Sequence, residues 1–127
     1  MCRAVELAAR GLGHTRPNPA VGAVIVKGGK IVGEGWHKKA GKDHAEVAAI
    51  KNAARRGAKI LKGATIYVTL SPCLMCSKMI VNAGIREVVY DEEYSVTEQT
   101  KAVLAEAGVV LRRLPGYRRP TLVRADG

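Results

Sequence analysis

Apolar positions recur along the chain with two periods. Ala4, Leu7 and Ala8 fall at helical spacing within residues 3–10, and Gly11 or Gly13 ends that segment. Thr15-Arg16-Pro17-Asn18-Pro19 follows; each proline disfavours helix in the residue before it, so Arg16 and Asn18 are extended or in a turn. Val21 to Val26 is a short β-rich run, Gly28-Gly29 a hairpin turn and Lys30 to Trp36 the returning strand. Asp43 is a good N-cap for a helix from about His44 to Arg56, with Val47, Ile50 and Ala54 on its apolar face and Gly57 at its end. Ile66, Val68 and Leu70 alternate with Thr65, Tyr67 and Thr69, the period of a strand. Ser71-Pro72 opens a third helix, Cys73 to Asn82, with Gly84 past its end. A strand over Arg86 to Tyr90, a helix over Val96 to Ala107 and a short strand over Val109 to Leu111 complete the pattern.

A hairpin followed by alternating helices and strands implies an α/β fold: one five-stranded mixed sheet with helices on both faces, a three-layer α-β-α arrangement. The 127 residues fit one domain. It is expected over 1–112, with 113–127 a basic C-terminal tail carrying Pro115, Gly116 and Pro120. No run of about 18 apolar residues marks a membrane span, and Glu6 interrupts what would be the apolar stretch of a signal peptide. Three cysteines, two of them as Cys73-x-x-Cys76, fit a reducing compartment and metal or redox chemistry better than disulfides. The expected location is cytoplasmic.

The formal net charge of +10 points to an anionic partner. It is uneven: residues 1–62 hold 13 basic against 4 acidic groups, residues 63–111 are acidic on balance, and five arginines follow Leu111. Aromatic residues make up only 4%, few for a protein that grips single strands by stacking. Charge alone leaves small phosphates and nucleic acid both open.

The chemistry is carried by His44-Ala45-Glu46 and Pro72-Cys73-Leu74-Met75-Cys76, each opening a predicted helix. Cys73 and Cys76 lie three apart, so both sulfurs reach one ion, and the helix N-terminus favours their thiolates. His44 adds a nitrogen. Three N/S ligands leave one tetrahedral position open, the arrangement of a catalytic rather than a structural zinc. Glu46 lies beside that position without being a ligand. Taken singly, these residues have plainer readings: a redox CxxC, half of a zinc finger, a capping histidine, or a first-turn acid set against the helix dipole. Together, H-x-E and P-C-x-x-C are the signature of zinc-dependent nucleobase deaminases. Cys2 has no expected partner, Met75, Met79 and Ile80 read as core or interface residues, and Trp36 as packing at a strand end.

On these residues the chain resembles the cytidine/deoxycytidylate deaminase superfamily over roughly residues 2–112. The front half, Thr15 to Val26 and Gly35 to Val47, looks like the pyrimidine deaminase of riboflavin biosynthesis. The back half, Tyr67 to Cys76, Asn82 to Ile85 and Val89-Tyr90, looks like deoxycytidylate deaminase. Riboflavin-type enzymes usually have Glu before Pro-Cys and more residues between the cysteines; here Ser71 precedes Pro72 and the spacing is CxxC. tRNA adenosine deaminases share the Tyr-Val-Thr-Leu and Pro-Cys-x-Met-Cys stretches.

The resemblance implies a cytidine deaminase-like fold and zinc on His44, Cys73 and Cys76. It makes Glu46 the catalytic proton shuttle and Asn18, His37, Ala45 and Ser71 substrate contacts. Carbonyls of Thr69, Leu70 or Ser71 would accept from the departing amine, and His37, Lys38 and Lys39 would meet a phosphate. The reaction expected is hydrolytic deamination of an aminopyrimidine nucleotide, with deoxycytidylate the favoured substrate and the riboflavin-pathway diaminopyrimidine the alternative. Deamination of RNA or DNA, and a catalytically silent zinc-stabilised binding module, stay open. A homo-oligomer is expected, and the arginine-rich tail is the feature that would serve a nucleic-acid partner.

Overall fold

The computed structural model describes residues 1–11, 20–39, 42–57, 61–93 and 97–115. The elements run α1 (Cys2–Arg10), β1 (Gly22–Lys27), β2 (Lys30–Trp36), α2 (Ala45–Arg55), β3 (Thr65–Leu70), α3 (Leu74–Ala83), β4 (Glu87–Glu92), α4 (Glu98–Glu106) and β5 (Val110–Arg113). This is the expected order. Asn18 and the arginines at 118, 119 and 124 lie outside the described residues. Arg113, expected in the tail, belongs to β5.

The sheet order is β2-β1-β3-β4-β5. β1 pairs antiparallel with β2 and β3, whereas β3–β4 and β4–β5 are parallel. Gly28 and Gly29 both have positive φ (59° and 77°). A two-residue turn of that kind matches the twist of the strands it joins.

Strand alternation divides the core. Ala23, Ile25, Ile66, Val68, Val88 and Tyr90 point to one face, where they meet Ala45, Ala49 and Ala53 of α2, Ile80 of α3 and Leu104 of α4. Val24 points to the other face, against Ala4 and Leu7 of α1, with Trp36 at the rim. Arg3 of α1 also reaches Glu34 of β2 (Nε to Oε2, 2.6 Å) and holds that carboxyl below its usual pKa. Among the described residues no helix is long and apolar enough to cross a membrane.

Two local expectations change. The cap of α2 is His44, in extended backbone geometry, and not Asp43. The Asp43 carboxylate instead pairs with Lys51 two turns along (2.7 Å). Val47 is buried and Ile50 packs partly buried against the core as expected, but the fully buried positions of α2 are Ala45, Ala49 and Ala53 rather than Ala54, because α2 lies against the glycines of β2. A Cβ on Gly33 would stand 2.6 Å from the Ala49 carbonyl oxygen and 2.8 Å from the Ala53 Cβ, and one on Gly35 would stand 2.7 Å from the Ala48 Cβ. Large side chains on α2 would hold it off the sheet.

Replacing Gly35 by Ala should therefore lower stability by about 1–3 kcal/mol, the usual cost of overpacking. Urea unfolding measures this directly. An unchanged midpoint would mean that α2 can move away from β2 at no cost.

Candidate metal centre and active site

The centre is built where two helices begin. Central strand β3 ends at Leu70, and Ser71 continues the ladder by donating its N–H to the Glu92 carbonyl (2.9 Å). Pro72 is buried and keeps Ser71 out of helical geometry. Cys73 then caps α3, its sulfur accepting from the Cys76 N–H at 3.4 Å. Across the gap, His44 caps α2. Its Nδ1 lies 3.7 Å from the Cys73 sulfur and 3.4 Å from the Cys76 sulfur. The three ligand atoms all fall within 4.8 Å of one another.

These distances fit a metal. With Zn–S about 2.3 Å and Zn–N about 2.0 Å, a tetrahedral N···S edge is about 3.5 Å. The protonation chemistry fits as well. The Cys73 thiol is lowered to about 5 by hydrogen bonds from the Cys76 thiol, from the Cys76 N–H and from His44, against the opposing effect of burial. Cys76 is pushed up by its bond to Cys73, by burial and by the charges of Glu46 and Cys73. Without a cation the pocket favours one thiolate and resists a second. A divalent cation removes that resistance, so the donor set, His44, Cys73 and Cys76, suits zinc.

Glu46 sits in the first turn of α2 and is only 4% exposed. Burial raises its carboxyl to about 7; its own backbone N–H opposes this, the Cys73 charge adds to it and His44 opposes it. It is therefore electrostatically coupled to all three metal-binding side chains.

His37 is buried one residue beyond β2, with its N–H on the Val21 carbonyl (3.0 Å). Its Nδ1 is 3.0 Å from the Asp43 carbonyl oxygen, which can only accept, so Nδ1 carries the proton. The ring meets His44 edge-on at 5.5 Å between centroids. Ala45, fully buried, starts α2 between His44 and Glu46. Thr69 anchors the end of β3 by accepting from the Gly22 N–H (3.2 Å). The fold thus brings His37, His44, Ala45, Glu46, Ser71, Cys73 and Cys76 to one end of the sheet. Asn18 lies outside the described residues. Sequence reasoning missed the part played by Asp43, read as a helix cap, whose carbonyl orients His37; a backbone acceptor leaves no trace in residue type.

Residues 1–92 match the cytidine and deoxycytidylate deaminase zinc-binding region. The chain belongs to this deaminase family, with its His/Cys/Cys zinc set intact. It is 51% identical over 92 residues to the riboflavin biosynthesis protein RibD of Aquifex aeolicus, an alignment covering 68% of this chain and 25% of that protein. Among solved structures it resembles the diaminohydroxyphosphoribosylaminopyrimidine deaminase/5-amino-6-(5-phosphoribosylamino)uracil reductase of Thermotoga maritima. That match has TM-score 0.79 and 38% identity, over 87% of this chain and 34% of the other. It also resembles the dCMP deaminase of cyanophage S-TIM5, solved with dCMP and dUMP, with TM-score 0.72 and 29% identity over 89% and 93% of the two chains. The chain spans about a quarter to a third of the length of the RibD proteins it matches.

The purified protein should carry about one zinc per chain, and Cys76→Ser should remove it. Elemental analysis checks both, and a variant that keeps full zinc would take Cys76 out of the ligand set.

Proposed function

We propose that this deaminase acts on a diaminohydroxyphosphoribosylaminopyrimidine, the riboflavin-pathway substrate class, rather than on the deoxycytidylate favoured from the back half of the sequence. The observation that carries this reading is the 51% identity to RibD across the segment that builds the centre. Buried, oriented His37 and the preceding Gly35-Trp36 stretch, the front-half features that resemble the riboflavin enzymes, agree with it. A second reading keeps deoxycytidylate: Ser71 before Pro72 and the CxxC spacing remain features of that type, and the cyanophage enzyme shares the fold.

Zinc, when held by His44, Cys73 and Cys76, supplies a Lewis acid that makes water a nucleophile at neutral pH. The remaining work belongs to this chain's residues. Glu46 takes a proton from the attacking water, places it on the ring nitrogen beside the amine-bearing carbon, and returns a proton to the departing amine. Its burial suits this role, since desolvation makes a carboxylate a readier proton acceptor that can pass the proton on. His37, oriented through Nδ1 by the Asp43 carbonyl, contacts the substrate. Ala45 and Ser71 line the ring, and Asn18 is a further substrate contact implied by the resemblance. The products are the carbonyl pyrimidine and ammonia.

The 58% exposure of Met75 on α3, beside half-buried Leu74 and Met79, supports the expected homo-oligomer.

Glu46→Gln should keep zinc and lose about 10²–10⁴-fold in turnover, the usual contribution of a positioned acid–base group. Ammonia release and metal content, measured on the same preparation, test this; retained turnover removes Glu46 from the mechanism. Substrate identity is decided by ammonia release from the phosphoribosyl diaminopyrimidine and from dCMP at equal concentration. Preference for dCMP would reverse the assignment.

A further inference from the structure

Beyond the metal centre, the described residues form a half-open cavity of about 300 Å³ at the free edge of β2. Its wall is strongly cationic. Lys38 and Lys42 come from the segment after β2, and Lys51 and Arg55 from successive turns of α2. Asp43 is the one carboxylate in the wall, and Lys51 already engages it at 2.7 Å. Trp36 forms the aromatic side, with the Lys38 ammonium 5.3 Å from the ring centroid and, outside the cavity lining, the Arg10 guanidinium at 5.1 Å.

Four cations converging on one concavity repel one another, and a single carboxylate offsets only part of that. Such a wall is stabilised by a multiply charged anion. Its donors, three ammonium groups and a guanidinium, are those that hold phosphate oxygens by charge-assisted hydrogen bonds. The concave shape suits a small molecule; a polynucleotide backbone tracks along an open groove and needs stacking side chains.

We propose that this cavity is a binding site for a phosphate-bearing small molecule. Two sources share that chemistry: the phosphate arm of the substrate, or a separate phosphorylated metabolite. The cavity adjoins the centre: Asp43 lines it while the Asp43 carbonyl holds His37 and the next residue is His44, and the lining residues Trp36 and Lys38 flank His37 in the chain.

Trp36 is the only tryptophan in the chain, so its emission reports on this site alone. The zinc-loaded protein is titrated with inorganic pyrophosphate and inorganic phosphate, with sodium chloride at matched ionic strength as control. The expected result is a saturable change with the phosphates and none with chloride. Lys42→Ala and Arg55→Ala should each weaken pyrophosphate binding about tenfold, with zinc content and melting temperature unchanged. No saturable change, a response equal to that of chloride, or a response that both variants keep would overturn the proposal. So would a response to single-stranded RNA that pyrophosphate does not share.

The source is separated by kinetics. If the cavity takes the substrate's phosphate, pyrophosphate competes with substrate, and Lys42→Ala raises KM without changing kcat. If it takes a separate metabolite, pyrophosphate binds together with substrate. The fluorescence result stands whichever pyrimidine the enzyme deaminates, so its failure and a failed substrate assignment are told apart.

Discussion

The position of α2 against β2 governs everything at the catalytic end of this molecule. Gly33 and Gly35 give up their side chains so that the backbone of α2 can lie on the strand, and Ala48, Ala49 and Ala53 offer nothing larger than a methyl in return. This close approach sets where α2 begins. Because His44 caps the helix, it also sets where the imidazole stands relative to the two cysteines of α3. Central strand β3, buried between its antiparallel and parallel neighbours, fixes the other half by delivering Pro72 and Cys73 from its end. A metal centre split between two helix starts tolerates little drift in either.

The electrostatics of the centre follow from that convergence. Hydrogen bonds from the Cys76 thiol and N–H, together with His44, favour a thiolate at Cys73; Cys76 is then driven toward its neutral form by its bond to Cys73 and by burial, and the carboxyl of Glu46 by burial and the Cys73 charge. The arrangement is costly as a set of bare side chains and favourable around a cation. Stability and chemistry therefore meet at the same residues, as is usual where ionisable groups are buried together.

Outside the centre, the charge of the chain resolves into separate uses. Arg3 is spent on Glu34, tying α1 to β2, and Arg112 on Glu87, tying β5 to β4. The lysines around Trp36 and α2 are the ones gathered into a concavity rather than spread over the surface. The net positive charge of the first half is thus partly structural and partly a rim beside the catalytic end.

Much of this was legible in the sequence. Local periodicity determined the element order, since strand and helix periods are written in the spacing of apolar residues. Glycine placement determined the hairpin and the ends of α2 and α3. The two motifs identified the zinc set and Glu46, because ligand chemistry restricts residue type so strongly. Tertiary structure decided what residue type does not encode. It chose Ala49 and Ala53 over Ala54 as fully buried positions of α2, because the glycines of the preceding strand demanded small partners. It moved the α2 cap from Asp43 to His44 and turned the Asp43 carbonyl toward His37. It also gathered Lys38, Lys42, Lys51 and Arg55, with the lone tryptophan, around one cavity. Each of these depends on long-range contacts and backbone direction, which emerge only when the helices settle on the sheet.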